Sequence, residues 1–287
     1  MSKKHNVNSV SAAWERVNLP PETTNAEFSA CCVKSETGDS PIDAFYGNLS
    51  DVLRLGLPDA LAKNDTLGRL LALGIVTGTE SYFRSIFLGL INTCPLVREK
   101  VADQLIALGA VDYYGPSKLG MGLFEGVSFA SESEIKKRSG SLLGFSWQPH
   151  SSLAIALNNF DVVCHIRHAS VHSHGVLSRG NAKALGLRSR EETTQIVLDF
   201  AHLQKIALIC TSAVREFNLM LYKATVEKWV QNRILVGAWS ADKVLMRSAF
   251  DLFRSRVDGT SPRDAYRSYL ALQPLIRQRW SHGNARR

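Results

Sequence analysis

Apolar residues recur at helical intervals over most of the chain, and no convincing set of strands with alternating apolar and polar positions emerges. From Ile42 to Lys63 the spacing of Phe45, Leu49, Val52 and Leu53 predicts a first helix. Thr79 is placed to cap a second, with Phe83, Ile86, Phe87, Leu90 and Ile91 along one face and Pro95 as its stop. Val97 to Leu108 predicts another short helix. Gly115, Gly120, Gly122, Gly126 and Gly140 punctuate residues 110–150, which predicts a loop-rich insertion with one short helix around Ser133 to Arg138. Ser151 to His174 then predicts a strong helix, closed by Gly175 in the left-handed conformation.

The clearest pattern starts near Ser189. Ser189-Arg190-Glu191-Glu192 has capping-box form. Behind it Ile196, Phe200, Leu203, Ala207, Cys210, Val214, Phe217 and Leu221 alternate spacings of four and three, which draws one apolar seam along a helix of about ten turns. A helix that long must pack along its length, so the chain is expected to be all-α, an up-and-down helical bundle. Residues 1–40, with Pro20-Pro21 and a turn-prone stretch at 36–41, predict a partly ordered N-terminal arm. Residues 41–235 form the expected bundle. Residues 240–287 predict a basic helical extension of two amphipathic helices, split by Asp258-Gly259-Thr260-Ser261-Pro262.

Composition narrows the class. With 45% hydrophobic and 21% charged residues over 287 positions, collagen-like and wholly disordered chains are excluded. The longest apolar runs, Leu70 to Val76 and Ile86 to Ile91, are too short to span a membrane. Five cysteines without a Cys-x-x-Cys argue against a disulfide framework or a cysteine zinc site. The start leads into no apolar leader, and a cytoplasmic protein is expected. The net charge of +8 favours an anionic partner, nucleic acid first. Ten basic against four acidic side chains from Ala241 onward place +6 of that charge in the last segment. Arg254, Arg256, Arg263, Arg267, Arg277 and Arg279 are therefore its candidate RNA or DNA phosphate contacts, with a solvated helical face as the alternative. Tyr113, Tyr114, Trp229, Trp239 and Trp280 are the aromatic candidates for a base-stacking platform.

The helix from Ser151 carries the candidate chemistry. Leu153, Leu157, Phe160, Cys164 and Val171 form its apolar stripe, and Arg167 falls on the same stripe. An arginine there must find an acceptor or reach a cleft, because an unpaired buried charge is costly. A second face carries Asp161, His165, His168 and His172. Glu80 and Arg84 are spaced for an ordinary ion pair along their own helix.

Ile166-Arg167-His168-Ala169-Ser170-Val171-His172-Ser173-His174-Gly175 resembles the signature of the HEPN superfamily: arginine, a polar residue, three further residues and histidine, near the end of a bundle helix. The flanking helices over about residues 65–235 resemble the family loosely, closest to its RiboL-PSP-like and defence-associated bacterial branches. Arg277 and His282 repeat the arginine–histidine spacing, but with no helix beyond them. The resemblance implies a metal-independent endoribonuclease that needs no cofactor and leaves 2′,3′-cyclic phosphate ends. It implies a homodimer in which two motifs face one cleft, use as a toxin or antiphage effector, and an antitoxin or other restraining partner.

The chemistry is coherent with that. Histidine titrates in the range needed to take a proton from a ribose 2′-hydroxyl or give one to the leaving 5′-oxygen. Arginine supplies a fixed charge and a planar fork for phosphate. His172 is assigned acid–base work, Arg167 phosphate stabilisation, and His168 orientation or proton transfer. One tension is geometric: residues five apart on an ideal helix diverge by about 140°. Convergence then requires a distorted helix end or a cleft that wraps around it. Two alternatives stand beside this reading. One is an inactive RNA-binding or scaffold module of the same family. The other is a metal-dependent hydrolase using the Asp161/His165/His168/His172 face, which would need ligands from a second helix.

Overall fold

The computed structural model describes residues 26, 28–33, 38–187 and 193–284, leaving aside the side chains of 117 and 282–284. Among these residues the chain is all-α: eleven helices, no strand, and one isolated antiparallel bridge between Val176 and Gln195. Among them, too, no helix is long and apolar enough to cross a membrane.

Helix α1 (Pro41–Leu55) is capped by Ser40, whose hydroxyl accepts from the Asp43 amide. The single helix expected through Lys63 is two. Gly56 ends α1, and Pro58 holds Leu57 extended before the short α2 (Pro58–Ala62). Helix α3 (Asp65–Thr93) is much longer than the sequence pattern suggests. Asn64 caps it by accepting from the Thr66 and Leu67 amides. Thr79 is therefore no cap but a buried mid-helix residue whose hydroxyl donates to the Ile75 carbonyl. Pro95 does stop α3, as the first residue of α4 (Pro95–Val101). That helix ends seven residues short of the expected Leu108, which instead opens α5 (Leu108–Lys118), kinked at Gly115 with φ 66°.

A 3-10 turn (Leu119–Leu123) and α6 (Glu132–Leu143) follow, so residues 110–150 hold more helix than their glycines suggest. Then come α7 (Ser152–His172), α8 (Arg179–Ala184), α9 (Phe200–Gln231), α10 (Trp239–Phe253) and α11 (Asp264–Asn284). Helix α9 starts later than expected, with Asp199 accepting from the His202 amide as its cap. The capping box at 189–192 falls outside the described residues. Ile196 lies in the connection before α9, still buried. Leu203, Ala207, Cys210, Val214, Phe217 and Leu221 form the buried seam, whereas Phe200 is exposed at the helix start.

Helix α3 is central and packs on α1, α7, α9 and α10. Its Phe83 meets Phe160 of α7 and Phe217 of α9, and Phe87 meets Phe217 and Phe129. The basic segment from residue 240 on shares this core through Met246, Ala249, Phe253, Tyr269 and Ile276. Residues 39–287 form one compact unit and residues 1–38 another, in which Ser29–Cys31 make a 3-10 turn.

Asp43 ties α1 to the turn after α10. It is 7% exposed and accepts from the Ser255 hydroxyl, the Arg256 amide and Arg256 Nε, while Arg256 also pairs with Asp39. Burial pushes its pKa up, but hydrogen bonds from the backbone and side chains of Ser255, Arg256 and Val257 outweigh that and hold it below 3.8. Asp43→Asn should cost about 2 kcal/mol near pH 7, read from urea unfolding. A depressed folded-state pKa means this stability is complete above the unfolded value. It is lost as pH falls through the folded one, so the gap between wild type and variant should close below about pH 4.

Candidate active site

Helix α7 starts where Ser151 accepts from the Ala154 amide, and its inner stripe of Leu153, Leu157, Phe160 and Cys164 is buried against the core. The stripe continues into Arg167, half-buried where α7 faces α3, while Val171, one turn on, is exposed. Arg167 meets both of the demands set by its position. Its Nη2 lies 3.6 Å from Glu80 Oε2, and it borders a cavity of about 470 Å³ with Glu80, Ser81, Arg84, Glu125 and Ser128. Its buried Nε has no hydrogen-bond partner.

Glu80 is therefore not the helical partner of Arg84. It faces Arg167 and accepts from the Ser128 hydroxyl at 2.8 Å. Arg84 instead donates to the Phe124 and Val127 carbonyls (the latter at 2.8 Å) and lies over the Phe129 ring, holding the turn that walls the cavity. Glu80 and Ser128 are the site residues that sequence reasoning missed. The one signal for Glu80 was the need of an arginine on an apolar stripe for an acceptor.

His168 and His172 are brought together. Both are exposed, one turn apart, with ring centroids 4.5 Å apart. Neither lines the Arg167 cavity. Helix α7 stays regular to His172, so the distortion needed for convergence does not occur, and Arg167 and His172 keep to different faces. The helix end is pinned. The Ser173 and Gly175 amides both donate to the Ala169 carbonyl, and Gly175, at φ 88°, leaves room for Arg69, since a Cβ there would lie 2.6 Å from Arg69 Cδ. Arg69 in turn donates to the Ile196 carbonyl.

The proposed metal face is already engaged elsewhere. Asp161 accepts from the Glu132 amide, capping α6, and its other oxygen lies 3.9 Å from His165 Nε2. His165 Nδ1 meets Asn181 Oδ1 at 3.1 Å. Among the described residues no three His, Cys, Asp or Glu side chains converge as metal ligands. A cysteine nucleophile finds no support either, as burial pushes the Cys164 thiol up and raises Cys210 to about 12 despite the lowering effect of the Thr79 hydroxyl beside it.

Several of the tail arginines have intramolecular partners. Arg254 pairs with Asp251, Arg256 with Asp39 and Asp43, and Arg267 with Asp264, while Arg279 donates to the Gln231 carbonyl. Arg263 and Arg277 are exposed. Of the aromatic candidates, Trp229 is fully buried with its Nε1 donating to Cys94 Sγ, and Trp239 packs on Tyr266 and Tyr269. Trp280 donates to the Leu235 carbonyl beneath the Arg233 guanidinium. Tyr113 stands 82% exposed.

No protein-family model, curated protein or solved structure matches this chain.

Proposed function

We propose that the protein is a metal-independent endoribonuclease whose active site draws on Arg167, His168 and His172. The observation that carries this reading is the exposed His168–His172 ring pair at the end of α7, immediately following an arginine whose Nε is buried without a partner. Two adjacent imidazoles are what transesterification needs without a metal. One takes the 2′-hydroxyl proton as that oxygen attacks phosphorus, and a protonated one delivers a proton to the departing 5′-oxygen. The Arg167 fork neutralises the oxyanion charge of the phosphorane. Arg167 faces the α3 cavity and the histidines face solvent, so the set is completed between two copies, the arginine of one opposite the histidines of the other. In a cell such an enzyme needs restraint, which fits a toxin or antiphage effector held by a partner.

The competing reading is a non-catalytic RNA-binding or scaffold module. It is favoured by Glu80, which already neutralises Arg167 at 3.6 Å. Incubating the purified full chain with total RNA in EDTA separates the two. Cleavage that survives chelation, leaves 2′,3′-cyclic phosphate ends and vanishes in both Arg167→Ala and His172→Ala supports the nuclease. Cleavage abolished by EDTA, or unchanged in both variants, overturns it. RNA binding without cleavage favours the module.

A further inference from the structure

Tyr113 and Tyr114 sit where α5 breaks. Gly115 turns the backbone to φ 66° and Pro116 follows, so two consecutive aromatics are presented at a kink rather than folded under a continuing helix. Their rings meet edge to face, 5.0 Å apart at 85°. The inner one lies beside Glu125, which lines the Arg167 cavity; burial and that carboxylate together push the Tyr114 pKa up. The outer one is 82% exposed yet held against Tyr114, so its ring is oriented before any ligand arrives. The other aromatic candidates have their rings or donors engaged inside the fold.

We propose that Tyr113 is a base-stacking platform for single-stranded RNA at the edge of the Arg167 cavity. The inference rests on the ribonuclease reading and adds the substrate class. A stacked base in a duplex offers no free face, whereas an unpaired base can lie flat on the exposed phenol ring while its backbone runs toward Arg167. The chain's +8 charge favours a polyanionic ligand.

The test uses the full chain and a fluorescent 2′-O-methyl oligouridylate, which cannot be cleaved. Tyr113→Ala should weaken binding about 5- to 150-fold, the usual worth of one stacked base. Tyr113→Phe and Tyr113→Trp should stay within about threefold of wild type, since every aromatic ring keeps a π-face. Tryptophan emission in the last variant should be quenched on binding. A duplex of the same length should bind wild type and Tyr113→Ala alike.

Equal binding of the single strand by wild type and Tyr113→Ala overturns the platform, as does no binding by wild type. A change of oligomeric state in Tyr113→Ala without loss of affinity also overturns it, because the surface is then a contact between copies. The two proposals fail separately. Tyr113-dependent binding without cleavage sinks the nuclease alone, and cleavage indifferent to Tyr113 sinks the platform alone.

Discussion

Phe217→Ala should destabilise the protein by about 3–5 kcal/mol. The side chain is fully buried in the middle of α9. Its ring lies 5.1 Å from Phe83, 5.7 Å from Phe87, and 6.4 Å from both Phe145 and Trp147. Removing it takes out a ring that touches α3 and the 144–150 connection together. Aromatic neighbours fixed in different elements cannot all move in, so the cavity persists and adds to the lost transfer energy. Phe200→Ala, on the same helix but 40% exposed, should cost under about 1 kcal/mol. Urea unfolding of both variants measures the difference. Equal midpoints would mean that Phe217 does not organise the core. The consequence reaches the site, because Phe83 lies one turn from Glu80 on α3 and packs on Phe160 of α7, two turns from Arg167.

The fold was readable where periodicity was strong, and the errors have physical reasons. The α9 seam from Leu203 to Leu221 is buried as the four–three spacing demands. The ends were not readable, because capping is decided by which polar side chain wins the free amides. Thr79 looked like a cap, yet its hydroxyl finds the Ile75 carbonyl within the helix, and Asn64, fifteen residues earlier, takes the amides instead. Glycine was misread in residues 110–150. Gly120 and Gly122 let the 3-10 turn approach other side chains closely: a Cβ on Gly120 would lie 2.8 Å from Leu88, and one on Gly122 2.7 Å from Ile106. In the candidate site, helical spacing alone grouped His168 with His172 and set Arg167 apart on the core stripe. The partnership of Arg167 with Glu80 joins residues far apart in the chain and left no local pattern. Tyr113 and Tyr114 were visible as aromatics, but which of them faces solvent depends on the Gly115 kink.

The divergence of Arg167 and His172 within one chain gives the ribonuclease reading its most demanding consequence. Alone, His172→Ala should lower the cleavage rate by about 10²–10⁴, the range for losing a general acid–base. Arg167→Ala should lose about 10²–10³, as when one donor to a developing oxyanion is removed. Mixed, the two variants should recover activity. If each cleft joins Arg167 of one copy to His172 of the other, a mixed dimer holds one doubly damaged cleft and one intact cleft. Random exchange makes half the dimers mixed, so an equal mixture, co-expressed or refolded together, should regain about a quarter of the wild-type rate. If both residues served one cleft within a single chain, every cleft in the mixture would carry one lesion, and the rate would stay at the mean of the two variants. An active wild type with no recovery on mixing would therefore reject the composite site. It would require the RNA strand itself to wrap around the end of α7 from the Arg167 cavity to the exposed histidines. Recovery would mean that each cleft takes Arg167 from one copy and His172 from the other, so that cleavage requires assembly.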